Sequence, residues 1–411
     1  MDDFLIRAFS SSSLGAIISG VVQSLIEGKN VLFLVPEMFQ GRAFIDTFSE
    51  TVRKRLQNHE RFPRVLTASS LASGIGTTLR AADWGGGHTF SDADVDDLSR
   101  SDLHLPQVII VPDVGDLSPA DAKKCLDVVS EWIRRIWPQR DVPALLVIAP
   151  ASTCVNEPVQ SDNRLAVCHL WGAPSAVDLR EICRELENRQ NHAEARWREM
   201  VVAGLGAGDV MLARHIWSSN PSSIAHCMEI LGALRMGGSA RPRRQNSHPV
   251  RLAFSGTPPL QLYAEWASGL IVASADYGIE DHLCTVPLAD TRASGPSGAL
   301  SHRIWRAQVE FALVRIDEVR RRAIGEFSRR RGDSWVDEVE GDLSDPVERA
   351  RLSKDPMNAQ VGFLAHAARQ FARQDWSYNS VSSELSRANE VRTRVAHFAP
   401  VDYPAFAALW A

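Results

Sequence analysis

A chain of 411 residues exceeds what one ordinary core supports, so two or three domains are expected. Hydrophobic residues at 45% against 23% charged describe a globular chain and exclude a disordered one. The formal net charge of −5 excludes a global basic field, and any nucleic-acid site has to be a local patch.

The six cysteines (125, 154, 168, 183, 227, 284) contain no C-x-x-C pair. That argues against a zinc knuckle or a disulfide framework and for a reducing compartment. No apolar run nears the ~18 residues of a membrane span, and the acidic start, Asp2 and Asp3, does not read as a signal peptide. A soluble cytoplasmic protein with no membrane partner is expected.

In chain order, the first third alternates short apolar runs with helical segments. Phe4–Phe9 reads as a strand, followed by Ser10 to Ser13 and an apolar helix over Leu14–Glu27 that Gly28-Lys29-Asn30 ends. Val31–Pro36 reads as a buried strand. From Gln40 to Leu56, Phe44, Ile45, Phe48 and Val52 hold the spacing of one helix face. Val65–Thr67 reads as a third strand, and residues 85–103 as a polar, Asp-rich loop. Val108–Val111, a helix over Ala120–Trp137 and the strand Ala144–Ile148 follow. Continuous apolar strands alternating with helices predict a parallel sheet covered on both faces.

That order of parts resembles the core of P-loop NTPases, in particular the AAA+ and STAND groups. The resemblance puts Phe4–Phe9 and its serine-rich turn at the phosphate-loop position. Val108–Val111 with Asp113 stands at the Walker B position, and Leu145–Ile148 with Pro150 to Thr153 at that of the sensor strand. A working phosphate loop needs glycines for close backbone approach and a lysine for the β and γ phosphates. Ser10 to Ser19 holds one glycine, Gly15, and no lysine. Serine capping of an ordinary helix start explains the same residues. Residues 1–160 are therefore expected to form a degenerate, non-hydrolysing NTPase-like α/β domain without a cofactor.

Residues 161–290 read as a helical region that resembles the lid and winged helix of STAND-type ATPases. Ser175–Ile182 starts with a good cap, and Trp197–Leu205, Asp209–Trp217, Ile224–Leu234 and Leu260–Ala275 add further helices. Arg241-Pro242-Arg243-Arg244 is a basic loop, either a phosphate-contacting patch or simply solvated. The break at Thr291–Gly298 marks the last boundary.

Residues 299–411 carry helical periodicity and predict an all-α bundle of roughly four or five helices. The first runs from Ile304 through Val319 to near Phe327, and Met357–Phe371 is a second, amphipathic one. Ser377–Ala396 presents an apolar face of Val381, Leu385, Ala388, Val391 and Val395. Within it Arg392 precedes His397 by five residues, about 140° apart on an ideal helix. Arginine holds phosphate bidentately and histidine moves protons near neutral pH, so the pair points to chemistry on a phosphodiester. The structural alternative has Arg392 pairing with Glu390 or Glu384, and His397 capping the helix C-terminus, where positive charge is favourable.

An Arg-x4-His motif in the final long helix of a bundle, with the tail Arg394 to Val401, resembles HEPN domains. The resemblance implies a metal-independent endoribonuclease with catalytic Arg392 and His397, assembled across a homodimer or with a HEPN-containing partner. RNA brings its own 2′-hydroxyl nucleophile. Histidine takes or gives the proton, and arginine stabilises the charged transition state. Thr393 departs from the Asn, Asp or His usual after the arginine, and can neither share charge with a phosphate nor buffer a proton. Arg394 and the cluster Arg320, Arg321 and Arg322 are candidate RNA phosphate contacts; a solvated helix face is the alternative. Cys125, Cys168 and Cys183 lie in contexts typical of packing, and His169, His215 and His226 have no metal-ligand spacing.

The two ends together resemble bacterial conflict systems, in which a sensing module restrains a toxic RNase. The expectation is an antiviral or toxin-type endoribonuclease acting on RNA, with a co-encoded defence protein as partner. The competing expectation is a non-enzymatic adaptor whose bundle only dimerises or docks partners.

Overall fold

The computed structural model describes residues 2–10, 12–37, 41–83, 105–135, 142–156, 159–187, 192–234, 256–284, 298–339 and 346–410. The chain divides into two compact units. The first comprises Met1–Leu186, Gly206–His215 and Arg241–Thr285, the second Glu187–Leu205, Ile216–Ala240 and Val286–Ala411. The segment 161–290 is shared between them.

In the first unit Phe4–Phe9 is not a strand. Asp3–Ala8 is a helix, α1, which Asp2 caps by accepting from the Phe4 and Leu5 amides at 3.1 and 3.3 Å. Phe4, Leu5, Ala8 and Phe9 are buried, the i, i+1, i+4, i+5 set of one helical face. Too short a run hid that period.

Next come α2 (Ser12–Ile26), β1 (Asn30–Val35), α3 (Arg42–Gln57), β2 (Pro63–Val65), α4 (Ala68–Ala72) and α5 (Ile75–Ala82). They lead to β3 (Val108–Val111), α6 (Pro119–Arg135), β4 (Ala144–Pro150) and β5 (Leu165–His169). The strands form one parallel sheet in the order β2-β3-β4-β1-β5. This is the expected parallel sheet with helices.

β1, β3 and β4 are buried along their whole length, which is why they read as unbroken apolar runs. Alternation divides their side chains between two faces. On one, Phe33 stacks on Phe48 of α3 with ring centroids 4.3 Å apart, and Phe9 meets Phe44 and Phe48 at 5.2 and 5.9 Å. On the other, Leu32, Ile109 and Leu145 pack with Leu71, Leu79 and Trp132 from α4, α5 and α6. Arg55 of α3 fastens the turn between α1 and α2, donating to the Phe9 and Gly15 carbonyls at 3.2 Å each.

The capped start of α7 (Ala176–Leu186) is as expected: Ser175 and Asp178 exchange hydrogen bonds of 3.0 Å, and the Ser13 hydroxyl also donates to the carboxylate. Then come α8 (His192–Gly206), α9 (Val210–Ser219) and α10 (Ile224–Ala233). The helix predicted over Leu260–Ala275 ends early. α11 is Leu260–Ala267, and β6 (Ile271–Ser274) pairs antiparallel with β7 (Gly278–Asp281). Gly269, at φ +67°, takes the left-handed conformation that stops the helix. Gly208, at φ +83°, lets the backbone approach β6, since a Cβ there would stand 2.6 Å from the Ala273 carbonyl oxygen. The basic loop 241–244, the Asp-rich loop 85–103 and most of the break 291–298 lie outside the described residues.

The second unit is helical among its described residues. α12 (Ala299–Arg331) runs past Phe327, and α13 (Pro346–Lys354), α14 (Val361–Gln374), α15 (Asn379–Ala396) and α16 (Tyr403–Ala407) follow. Phe327 of α12 meets Phe371 of α14 at 5.3 Å and Tyr378, just before α15, at 6.0 Å. Leu385, Ala388, Val391 and Val395 are the buried stripe of α15, as their spacing predicts. Buried Gln308 exchanges hydrogen bonds with the Val401 backbone, and Arg315 donates to the Leu409 carbonyl at 2.8 Å. The segment after α15 is thereby fastened along α12.

Candidate functional site

In the first unit the carboxyl ends of β1 to β4 open into a cavity of about 240 Å³. Open α/β sheets bind their ligands at this edge. Val35, Arg42, Asp46, Thr67, Asp113 and Asp116 are among its walls. β1 runs into this edge, and residues 36–41 join it to the start of α3 at Arg42. Ser10 to Ser19 precede the sheet and run into α2. Residues 38–40 lie outside the described set.

In the pattern Gly-x4-Gly-Lys-[Ser/Thr], this chain places Pro36, Gly41, Arg42 and Ala43 at the four chemical positions. Only Gly41 matches a glycine of that pattern, and Ala43 has no hydroxyl. Arg42 keeps the cation, but its side chain is 82% exposed and flanked by Asp46 at 3.7 Å and Asp116 at 3.8 Å. Asp113 accepts from the Ala68 amide at 2.7 Å and so caps α4. Three carboxylates and one guanidinium thus stand among the described walls of this cavity. The sequence did carry the signal: an apolar run followed by Gly-Arg and an amphipathic helix.

At the end of β5, His169 is buried against Tyr263 and Trp266, with ring centroids 6.0 and 5.6 Å away. Burial pushes its pKa down to about 4. Burial likewise pushes the Cys125 and Cys168 thiols up to about 11 and Cys227 up to about 12, which removes them as nucleophiles. Among the described residues no group of three or more His, Cys, Asp or Glu could hold a metal ion, and no helix is long and apolar enough to cross a membrane.

The motif of the second unit lies at the C-terminal end of α15. Arg392 is half-buried, and its Nη2 donates to Oε1 of Gln360, the N-cap of α14, at 3.4 Å. Neither acid offered by the sequence takes it: Glu384 pairs with Arg322, and Glu390 lies 3.6 Å from Arg394. His397 is the exposed C-cap residue, its amide donating to the Thr393 and Arg394 carbonyls at 3.1 Å each. Its imidazole makes no hydrogen bond to another described residue. The Thr393 hydroxyl donates to the Asn389 carbonyl at 2.8 Å, turned back onto its own helix.

Arg320 and Arg321 stand 2.8 and 2.7 Å from Asp317, Arg320 also donates to the Met357 carbonyl, and Arg322 pairs with Glu384. The cluster thus ties α12 to its neighbours. Exposed pairs of this kind are worth ~0–1 kcal/mol.

Sequence reasoning missed the residue after the histidine. Phe398 has φ +57° and is 50% exposed. It occupies the place just past the helix where glycine is usual, with the Ala399 amide closing onto the Arg394 carbonyl at 2.9 Å. A left-handed L residue costs roughly 1–2 kcal/mol. Its ring rests on Trp305 of α12, centroids 4.8 Å apart and planes at 49°. The Trp305 indole N–H donates to the Val395 carbonyl at 2.7 Å, and the His302 ring lies 5.4 Å beyond.

No family model and no curated protein matches this chain. Solved structures that are similar to it include "Structure of Drosophila ORC bound to GC-rich DNA and Cdc6", at 14% identity over 96% of this chain and 68% of that one, TM-score 0.31. "Structure of Drosophila ORC bound to poly(dA/dT) DNA and Cdc6 (conformation 1)" is 12% identical over 99% and 69%, TM-score 0.29. "Structure of Drosophila ORC bound to AT-rich DNA and Cdc6" is 13% identical over 95% and 66%, TM-score 0.30. The α/β assignment rests on the strand order and register above.

Proposed function

We propose that this chain is a metal-independent endoribonuclease of a bacterial antiviral-defence or toxin system, with the HEPN-like bundle carrying the chemistry. The observation that carries the reading is the end of α15: an exposed imidazole without a hydrogen bond, and an arginine steadied by Gln360 and not neutralised by an acid. His397 takes the proton of an RNA 2′-hydroxyl. The 2′-oxygen attacks the adjacent phosphorus, Arg392 holds the charge that builds on the phosphoryl oxygens, and the bond to the 5′-oxygen breaks. A protonated His397 from a second copy gives that oxygen its proton. The products are a 2′,3′-cyclic phosphate and a 5′-hydroxyl.

The first unit serves as a sensing or restraining AAA+-like module that does not hydrolyse nucleotide. Its Arg42 is answered by carboxylates, and Ala43 replaces the metal-binding hydroxyl. The test is cleavage of labelled total RNA and tRNA in EDTA by the wild type beside His397→Ala. Cleavage by wild type alone, with cyclic phosphate ends, is the expected result. No cleavage by either, with growth unaffected by expression, sinks the reading.

One observation favours a second reading, the non-enzymatic adaptor. The Thr393 hydroxyl and the Arg320–Arg322 cluster are all spent on the bundle's own backbone and acids. For an adaptor, Arg392→Ala and His397→Ala leave function untouched.

A further inference from the structure

We propose that Phe398, backed by Trp305, is a ledge on which an unpaired nucleobase stacks, which makes single-stranded RNA the substrate class of the His397 site. The cleavage step rests on the nuclease reading above; the stacking does not.

Three observations converge on the ring. Half of it faces solvent although it occupies a backbone conformation that favours glycine. Strain of this kind persists where the surroundings over-determine it, and it collects at functional sites. The ring is also backed by a second aromatic that cannot swing away, because the Trp305 indole is pinned to the Val395 carbonyl. The turn that carries it is closed by the Ala399 amide and continues into the Val401 backbone held by Gln308.

Placement supplies the chemistry. Phe398 is the next residue after His397, so their Cα atoms are ~3.8 Å apart. A base lying on the ring brings its own ribose and phosphate beside the imidazole. Arg392 and the half-exposed Arg394 supply positive charge on the preceding turn for the backbone. Aromatic stacking accepts any base but needs one that is out of a helix. Loops and unpaired ends satisfy that requirement, and a duplex does not.

The test uses the full-length protein in EDTA and a short 2′-O-methyl oligoribonucleotide, which cannot be cleaved, as single strand and as duplex. Phe398→Gly suits the backbone angle and removes only the ring; Phe398→Tyr restores a ring. Anisotropy is expected to show the single strand bound more tightly than the duplex. Phe398→Gly should lose about tenfold on the single strand alone, Phe398→Tyr should recover it, and the melting temperature of Phe398→Gly should not fall. Equal single-strand binding by wild type and Phe398→Gly, a preference for duplex, or no binding of either probe overturns the ledge. If binding depends on Phe398 while wild type cleaves no RNA, the ledge stands and the nuclease falls. If wild type cleaves and Phe398→Gly cleaves single strands equally well, the ledge falls and the nuclease stands.

Discussion

The sheet edge of the first unit and the helix end of the second are opposites. The edge has a cavity of about 240 Å³ in which Arg42 is flanked by acids and Asp113 caps α4. The helix end presents Arg392, half-buried, and His397, exposed, which the proposal above makes the reacting groups. A parallel sheet makes a crevice at its carboxyl ends by topology, whatever side chains line it. A helix presents the groups its sequence dictates, but five residues turn them ~140° apart, so one copy cannot enclose a phosphate. Concavity and reactive side chains are separate properties, and here the cavity and the Arg392–His397 pair belong to different units.

The contrast is sharpest in activity. His397→Ala should lower RNA cleavage at least ~100-fold, while Arg42→Ala and Asp116→Ala should leave the rate within about twofold. Equal losses from the crevice variants would break the comparison. In stability the order reverses. Phe33→Ala removes the fully buried ring stacked on Phe48 and should cost ~3–5 kcal/mol in denaturant unfolding of the sheet unit.

A pH titration sharpens the contrast next. His169 has a folded pKa of about 4, below its ordinary 6.5. Between those values the unfolded chain binds a proton that the folded chain refuses. Stability is therefore full above pH 6.5 and falls by up to about 3 kcal/mol as the pH drops toward 4. His169→Phe should flatten this part of the curve. The smallest expected effect is on the crevice itself. ATP or GTP at millimolar concentration, with magnesium, should move the melting temperature by less than about 1 °C; a shift of several degrees would return the crevice to nucleotide binding.

Legibility followed the range of the interactions. Val31–Val35, Val108–Val111 and Ala144–Ile148 were readable as buried strands because both faces of each are covered. The stripe of α15 was readable because its period spans four turns. Phe4–Phe9 was misread because six residues, all apolar but Arg7, serve a strand or one and a half helical turns equally well. The hairpin of β6 and β7 escaped because Ile271–Ser274 follows a helix with only Gly269 to separate the patterns.

By itself, then, the sequence determined the local states: which runs are apolar, where caps and breaks fall, and that an arginine and a histidine share the end of a long helix. Those depend on neighbours a few residues apart. Tertiary structure decided that β1 is flanked by β4 and β5, and that Phe4–Phe9 is not a strand of the sheet. It also decided that Arg392 meets Gln360 and no acid, and that Phe398 stands on Trp305. Each of those pairs is separated by many residues. Only packing chooses among the partners that a residue's chemistry allows.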